Sequence, residues 1–200
     1  MTVREYVSVF ISIIIGLAVA DLLISFHRLI RVDARVKWYW LVPAIAVYML
    51  LVIVNFWWGT YWWFSHIRLL SMGEFLPTLL SAIALFLLAA SVLPDEVTTD
   101  ALDLKAWYIR NAGQIWALAF VALGLVMVQE FALDMSHIRA QGHSGPLQVA
   151  LGYGAREWDN LLSLVAYAAL IFTRRLRIHE AVVVLSLLDM AWTATWLAIS

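Results

Sequence analysis

The chain contains no cysteine. Disulfides, thiolate metal sites and cysteine nucleophiles are therefore excluded. Charge is also scarce: 14% of residues, where a soluble domain carries about 25%. The net charge of -1 denies a nucleic-acid partner the basic surface it needs. The sequence has no GxSxG, HExxH, P-loop or Rossmann fingerprint, so neither serine-hydrolase nor nucleotide chemistry has a motif behind it. Polar stretches are short, on the order of 15–20 residues, which leaves no room for a separate soluble domain.

Apolar residues fill the rest. They make up 64% of the chain, and mean hydropathy is +0.87. Trp occurs 11 times. Indole suits the membrane–water boundary, where its ring is apolar and its N–H can find a partner. The pattern predicts an all-α, polytopic integral membrane protein with six transmembrane helices and short loops. A span needs about 20 residues. The expected spans are 7–29, 38–64, 73–93, 111–133, 156–173 and 178–199, in a single transmembrane domain. The first run is too long for a signal-peptide core and lacks a small-residue cleavage site, so it reads as a retained helix. Strict alternation over short segments is missing, which argues against a β-barrel.

Basic residues suggest an orientation. Arg28, Arg31, Arg35, Lys37, Lys105, Arg110, Arg174, Arg175 and Arg177 are nine of the 13 Lys and Arg, and all fall in alternate connections. The positive-inside rule then puts those connections in the cytoplasm and both termini outside, in a bacterial inner (plasma) membrane. The tight stretch Arg174–Arg177 predicts an antiparallel hairpin of the last two spans. Thr98, Thr99 or Asp100 is expected to cap a helix entering span four, with Trp107 and Tyr108 as interfacial anchors. Gly142 to Pro146 reads as an external loop.

Two carboxylates lie inside apolar runs. Asp21 shares a helix face with Ser25 and Arg28. Asp189 shares one with Ser186 and Thr193. A charge at the centre of a span costs about 2.5–3.5 kcal/mol, so each should face protein or water. Asp21, Ser25, Ser186, Asp189 and Thr193 thus form a candidate ion or proton pathway. The alternative is structural: polar anchors that hydrogen-bond between helices.

Glu130, Asp134 and His137 recur at i, i+4 and i+7 near the end of span four. Two carboxylates and an imidazole on one face form a possible outer-face site for a divalent cation or a proton relay, or simply a solvated helix end. Asn55 precedes Trp57, Trp58, Tyr61, Trp62 and Trp63, which read as an interfacial belt or as a ring-lined pocket for a lipid, quinone or cation. His27 and His179 have no diagnostic haem spacing. No cofactor or metal is assigned. Ser12, Gly16 and Ala20 form a small-residue stripe that would allow close helix contact.

The function expected from this pattern is a small membrane channel or transporter that conducts protons or cations through intramembrane carboxylates. The alternative is an accessory or scaffold subunit of a larger membrane complex. An intramembrane metal or haem enzyme ranks third. Expected partners are membrane lipid, a proton or cation, and a second copy or another membrane protein.

Overall fold

Helix α1 (Val3–Arg31) shows how the sequence organises the molecule. Ile11, Ile15, Ala18, Leu22, Ser25 and Leu29 follow one another at steps of four and three, and all are buried. The opposite face carries Phe10, Ile13, Leu17 and Ile24, equally apolar and exposed. A helix that is apolar all round belongs inside a large core or in lipid. With one face packed and the other uncovered, lipid is the solvent that fits.

The computed structural model describes residues 3–31, 36–66, 72–94, 101–141 and 146–196, with side chains described for these except 3–4, 62–66, 74, 133–141, 146–149 and 194–196. After α1 come β1 (Val36–Lys37), α2 (Leu41–His66), α3 (Met72–Ser91), β2 (Leu102–Asp103), α4 (Leu104–Gln141), α5 (Pro146–Arg156), α6 (Trp158–Phe172) and α7 (Leu176–Trp196). Among the described residues the fold is all-α apart from the two short strands. These pair in parallel, Val36 with Leu102 and Lys37 with Asp103. They tie the chain before α2 to the start of α4.

Packing closes a ring. Helix α1 lies against α2 and α3, α3 against α4, α4 against α6, α6 against α7, and α7 against α2. The buried faces of α3 and α4 are rich in alanine (Ala82, Ala89, Ala112, Ala119, Ala122), which lets the two backbones approach. Helix α5 packs outside, on α4 and α6. Exposed Leu51, Leu80, Val121, Leu162 and Leu185 turn the outer surface apolar on α2, α3, α4, α6 and α7 as well.

The six-span expectation is corrected here. Among the described residues three helices are long and apolar enough to cross a membrane: Glu5–Arg31, Leu41–Tyr61 and Leu104–Ala132. The apolar part of α3 starts only at Phe75, and α6 stops at Phe172. At 15 residues α6 is about 22 Å long, short of a hydrocarbon core of about 30 Å. Its end is set by Thr173, which turns extended while its N–H and hydroxyl both bond to the Ala169 carbonyl. Helix α7 is interrupted by Arg177, His179, Glu180 and Asp189. Counting apolar runs overestimated the spans because segments inside a ring need not themselves be long enough for lipid.

Two further expectations change. The N-cap of α4 is Asp103, whose Oδ1 accepts the Lys105 and Ala106 amides, both at 3.0 Å; residues 98–100 lie outside the described residues. Tyr108 is fully buried and so is no interfacial anchor. The loop 142–145 is likewise outside the described residues, and the unforeseen helix α5 starts at Pro146, a residue suited to the first helical position.

The cap gives a pH-dependent end to α4. Backbone bonds, from Ala106 first and then Lys105, hold the Asp103 carboxyl below the usual carboxylate range, helped by the Lys37 and Lys105 charges. A depressed folded pKa means stabilisation that is complete above the unfolded pKa and lost as pH falls through the folded one. Protection of the Lys105 and Ala106 amides, taken as their exchange relative to an unfolded chain at the same pH, is therefore expected to be high near neutral pH and to be lost below the carboxylate range. In Asp103→Ala it should be low at every pH. Equal protection in the variant would contradict the cap.

Candidate functional site

Three aromatic or imidazole side chains meet where α4 faces α7. Tyr108, Trp116 and His179 are each almost fully buried. The Tyr108 hydroxyl lies 2.6 Å from His179 Nδ1. The Trp116 indole N–H donates to both, at 2.9 Å to the phenol oxygen and 3.0 Å to Nδ1. On the other side of the ring, His179 Nε2 is 2.8 Å from the Thr173 carbonyl. A carbonyl only accepts, and an indole N–H only donates. The network therefore assigns the proton to Nε2 and leaves Nδ1 as acceptor for Tyr108 and Trp116. Both nitrogens are engaged, so His179 has no lone pair left for haem, and His27 lies exposed on α1.

Tyr39, just before α2, extends this end of the bundle. Its hydroxyl donates to Glu180 at 2.7 Å, and the Lys105 ammonium sits 5.8 Å from its ring centroid. Burial raises the Tyr39 pKa, and the hydrogen bond to Glu180 and that carboxylate's charge raise it further. The strand pair, the start of α4 and the α6–α7 turn thus gather Lys37, Lys105 and Arg174 at one end of the ring.

Trp116 also walls a cavity of about 240 Å³ inside the ring. Helices α2, α3, α4, α6 and α7 line it; α1 and α5 do not. Its walls are mostly apolar, with Ile45, Met49, Leu88 and Ala119 among them. Two polar zones interrupt them. One is the phenol pair Tyr48 and Tyr167, whose oxygens lie 2.5 Å apart; Ser186 reaches both by hydrogen bond. The other groups Asn55, Thr60, Gln129, Glu130 and Asn160. There the Tyr153 hydroxyl, from α5, is bonded to the Met127 carbonyl at 3.0 Å and to Glu130 Oε2 at 3.3 Å. The Asn160 amide donates to Glu157 at 2.9 Å, and Glu157 also pairs with Arg156. Gln129 is 5% exposed, and its Oε1 has no hydrogen-bond partner. An unmet acceptor in such a place costs about 1–3 kcal/mol.

Comparison with protein-family models, curated proteins and solved structures finds no match for this chain. Function must therefore be read from the site itself.

The expected site residues separate into groups. Ser186 reaches the phenol pair on the cavity wall. Asp189 is exposed and Thr193 half-buried on the same helix. Asp21, half-buried, and Ser25, buried, sit on α1, which packs on α2 and α3 rather than on α7. Glu130 lines the cavity, while the side chains of Asp134 and His137 lie outside the described residues. Among the described residues no group of three or more His, Cys, Asp or Glu is placed to hold a metal ion. The small-residue stripe on α1 makes no close helix contact at its centre: Gly16 is exposed, and a Cβ there would meet open space. Ser12 instead accepts the Trp57 indole N–H at 3.1 Å.

Gln129, Tyr153 and Asn160 were not singled out from the sequence. Gln129 sits beside Glu130 in an otherwise apolar stretch of α4, and that polar pair was the available signal.

Proposed function

We propose that this chain is a small membrane transporter that takes a small molecule into the cavity at the centre of its helix ring. The observation that carries this reading is a cavity inside a ring whose outer faces are apolar, its own walls mostly apolar but broken by two polar zones, one with an unmet Gln129 carbonyl. A simple ion pore would not need largely apolar and aromatic walls; a binding site for an organic molecule does. Within this reading we assign proton coupling to Asp189. It follows Ser186, which bonds the cavity phenols, and precedes Met190, which lines the cavity. Asp21 lies on α1, away from the lining. We further propose a bacterial plasma membrane, with the end bearing Lys37, Lys105 and Arg174 in the cytoplasm.

The test is uptake into proteoliposomes from a panel of small labelled molecules, neutral and charged. Wild type should give saturable uptake of at least one, stimulated by a pH gradient. Ala119→Phe, which fills the cavity, should fall to the level of empty liposomes. Asp189→Asn should lose the pH stimulation, and Asp21→Asn should keep it. Uptake no greater than in empty liposomes across the whole panel would contradict the reading.

A second reading has its own support. Asp189 is exposed on α7 beside Leu185, Leu188 and Trp192. A carboxylate on an apolar outer face suits a partner helix that supplies a donor. An accessory subunit would lose a co-purifying membrane partner on Asp189→Leu; a free-standing transporter would not.

A further inference from the structure

We propose that the pocket at the end of α6 is a site for the phosphate headgroup of an anionic lipid. The inference is independent of the transporter reading and uses a different part of the molecule.

The pocket follows from the length of α6. That helix stops at Phe172. Its partner α4 runs on past this point: a Cβ on Gly113 would lie 3.7 Å from the Ile171 carbonyl oxygen, and α4 begins only at Leu104. The space beyond the end of α6 is closed by Thr173, Arg174 and the start of α7, and it amounts to about 220 Å³. A cavity of about 150 Å³ holds benzene, so this one has room for a phosphodiester.

Charge decides the class. Arg110 from α4 and Arg174 from the α6–α7 turn both line the pocket, and no Asp or Glu among the described residues does. Both arginines are exposed, and among the described residues neither guanidinium has an ion-pair or hydrogen-bond partner. The other polar side chains of the wall are committed. The Thr173 hydroxyl donates to the Ala169 carbonyl, Tyr108 meets His179 Nδ1, and His179 Nε2 meets the Thr173 carbonyl. The last carbonyls of α6 bring about half a negative charge, which the start of α7 offsets. Two full positive charges remain. A guanidinium presents a planar fork that matches phosphate oxygens, and basic pockets between membrane helices hold lipid headgroups in this way.

The rim selects a lipid over a free anion. Ile109, next to Arg110, is 53% exposed, and Phe172, two residues before Arg174, is 85% exposed. Apolar side chains beside the arginines give acyl chains a surface to lie on. A helix shorter than the hydrocarbon core is accommodated by thinning of the bilayer around it, which brings headgroups to its end. Arg175 and Arg177, exposed in the same stretch, add to the attraction for an anionic surface.

The test is calorimetric titration of the detergent-solubilised full chain with three probes: dihexanoyl-phosphatidylglycerol, dihexanoyl-phosphatidylcholine and inorganic phosphate. Partition is removed by subtracting the same titration of micelles alone. The anionic lipid should bind saturably at one site, at least about ten-fold tighter than either of the other two. Arg110→Gln and Arg174→Gln should each weaken it by about ten-fold, and Arg175→Gln, outside the pocket, by less than about two-fold. Where gel filtration shows a Gln variant misfolded, the Lys variant replaces it; Lys keeps the charge without the fork and should weaken binding by about three-fold. Equal binding of the two lipids would overturn the anionic assignment. Phosphate binding as tightly as the anionic lipid would make the pocket a site for a free anion and overturn the lipid assignment. Unchanged affinity in folded Arg110 and Arg174 variants, or no saturable binding of any probe, would overturn the site itself and leave the central cavity untouched.

Discussion

Replacing His179 with Ala is expected to destabilise the chain by about 4 kcal/mol, more than most single substitutions do. Two losses add. Removing a buried side chain leaves a cavity, which costs about 2 kcal/mol or more. Removing its nitrogens leaves the Thr173 carbonyl without the Nε2 donor and the Tyr108 hydroxyl without its acceptor. Each orphaned group costs about 1–3 kcal/mol. Trp116 still donates to the Tyr108 oxygen, so part of the network survives. The measurement is an unfolding titration in mixed micelles. His179→Gln serves as the comparison, because an amide can donate towards Thr173 and accept from Tyr108. It should recover more than half of the loss. If His179→Gln is as damaging as His179→Ala, the ring's shape matters and its hydrogen bonds do not.

Trp116→Ala is the second large effect, at about 4 kcal/mol. Trp116 is 2% exposed, and its ring lies 5.1 Å from that of Tyr167 and 6.2 Å from that of His179. It belongs both to the hydrogen-bonded cluster and to the cavity wall. Truncation should therefore damage stability and ligand retention together, whereas Trp116→Phe, which removes the N–H and part of the ring volume but keeps an aromatic wall, should cost about 2 kcal/mol. Because Trp116 and His179 share one network, the double alanine variant should fall short of the sum of the singles by about 1 kcal/mol. Strict additivity would show that the indole and the imidazole do not cooperate.

Helical character was legible in the sequence because long apolar runs have few alternatives in lipid. The number of membrane crossings was not. Runs such as 158–172 satisfy a hydropathy window together with their polar flanks, yet the helix itself ends where Thr173 turns extended. The packed face of α1 followed from its spacing once the buried stripe Ile11 to Leu29 was seen, but the small residues Ser12, Gly16 and Ala20 drew attention to the wrong face. Hydrophobicity is a poor guide there, since both faces are apolar.

The candidate site was less legible still. Acidic residues inside apolar runs stand out, so Asp21 and Asp189 attracted the functional expectation. The cavity instead draws on residues scattered over five helices, among them Asn55, Gln129, Asn160 and Tyr167. Only tertiary packing brings them together. Trp107 and Tyr108 are adjacent and aromatic, and nothing in that dipeptide tells which ring faces lipid. The fold separates them: Trp107 is half-buried, and Tyr108 points at His179. Glu130 was chosen for its spacing from Asp134 and His137, whereas its place on the cavity wall comes from α2 and α6 across the ring.

Lipid should surround the helix ring and be kept from its packed interior. Because the chain has no cysteine, single labels can be placed without background. The most direct measurement is nitroxide accessibility in nanodiscs, with labels at Leu17, Leu51, Leu162 and Leu185 on the outer faces and at Ala18 and Ala119 inside. Oxygen, which concentrates in lipid, should relax the four outer labels strongly and the two inner ones weakly, with a water-soluble nickel chelate reaching none of them. Strong chelate relaxation at the outer positions, or oxygen relaxation equal inside and out, would contradict the account.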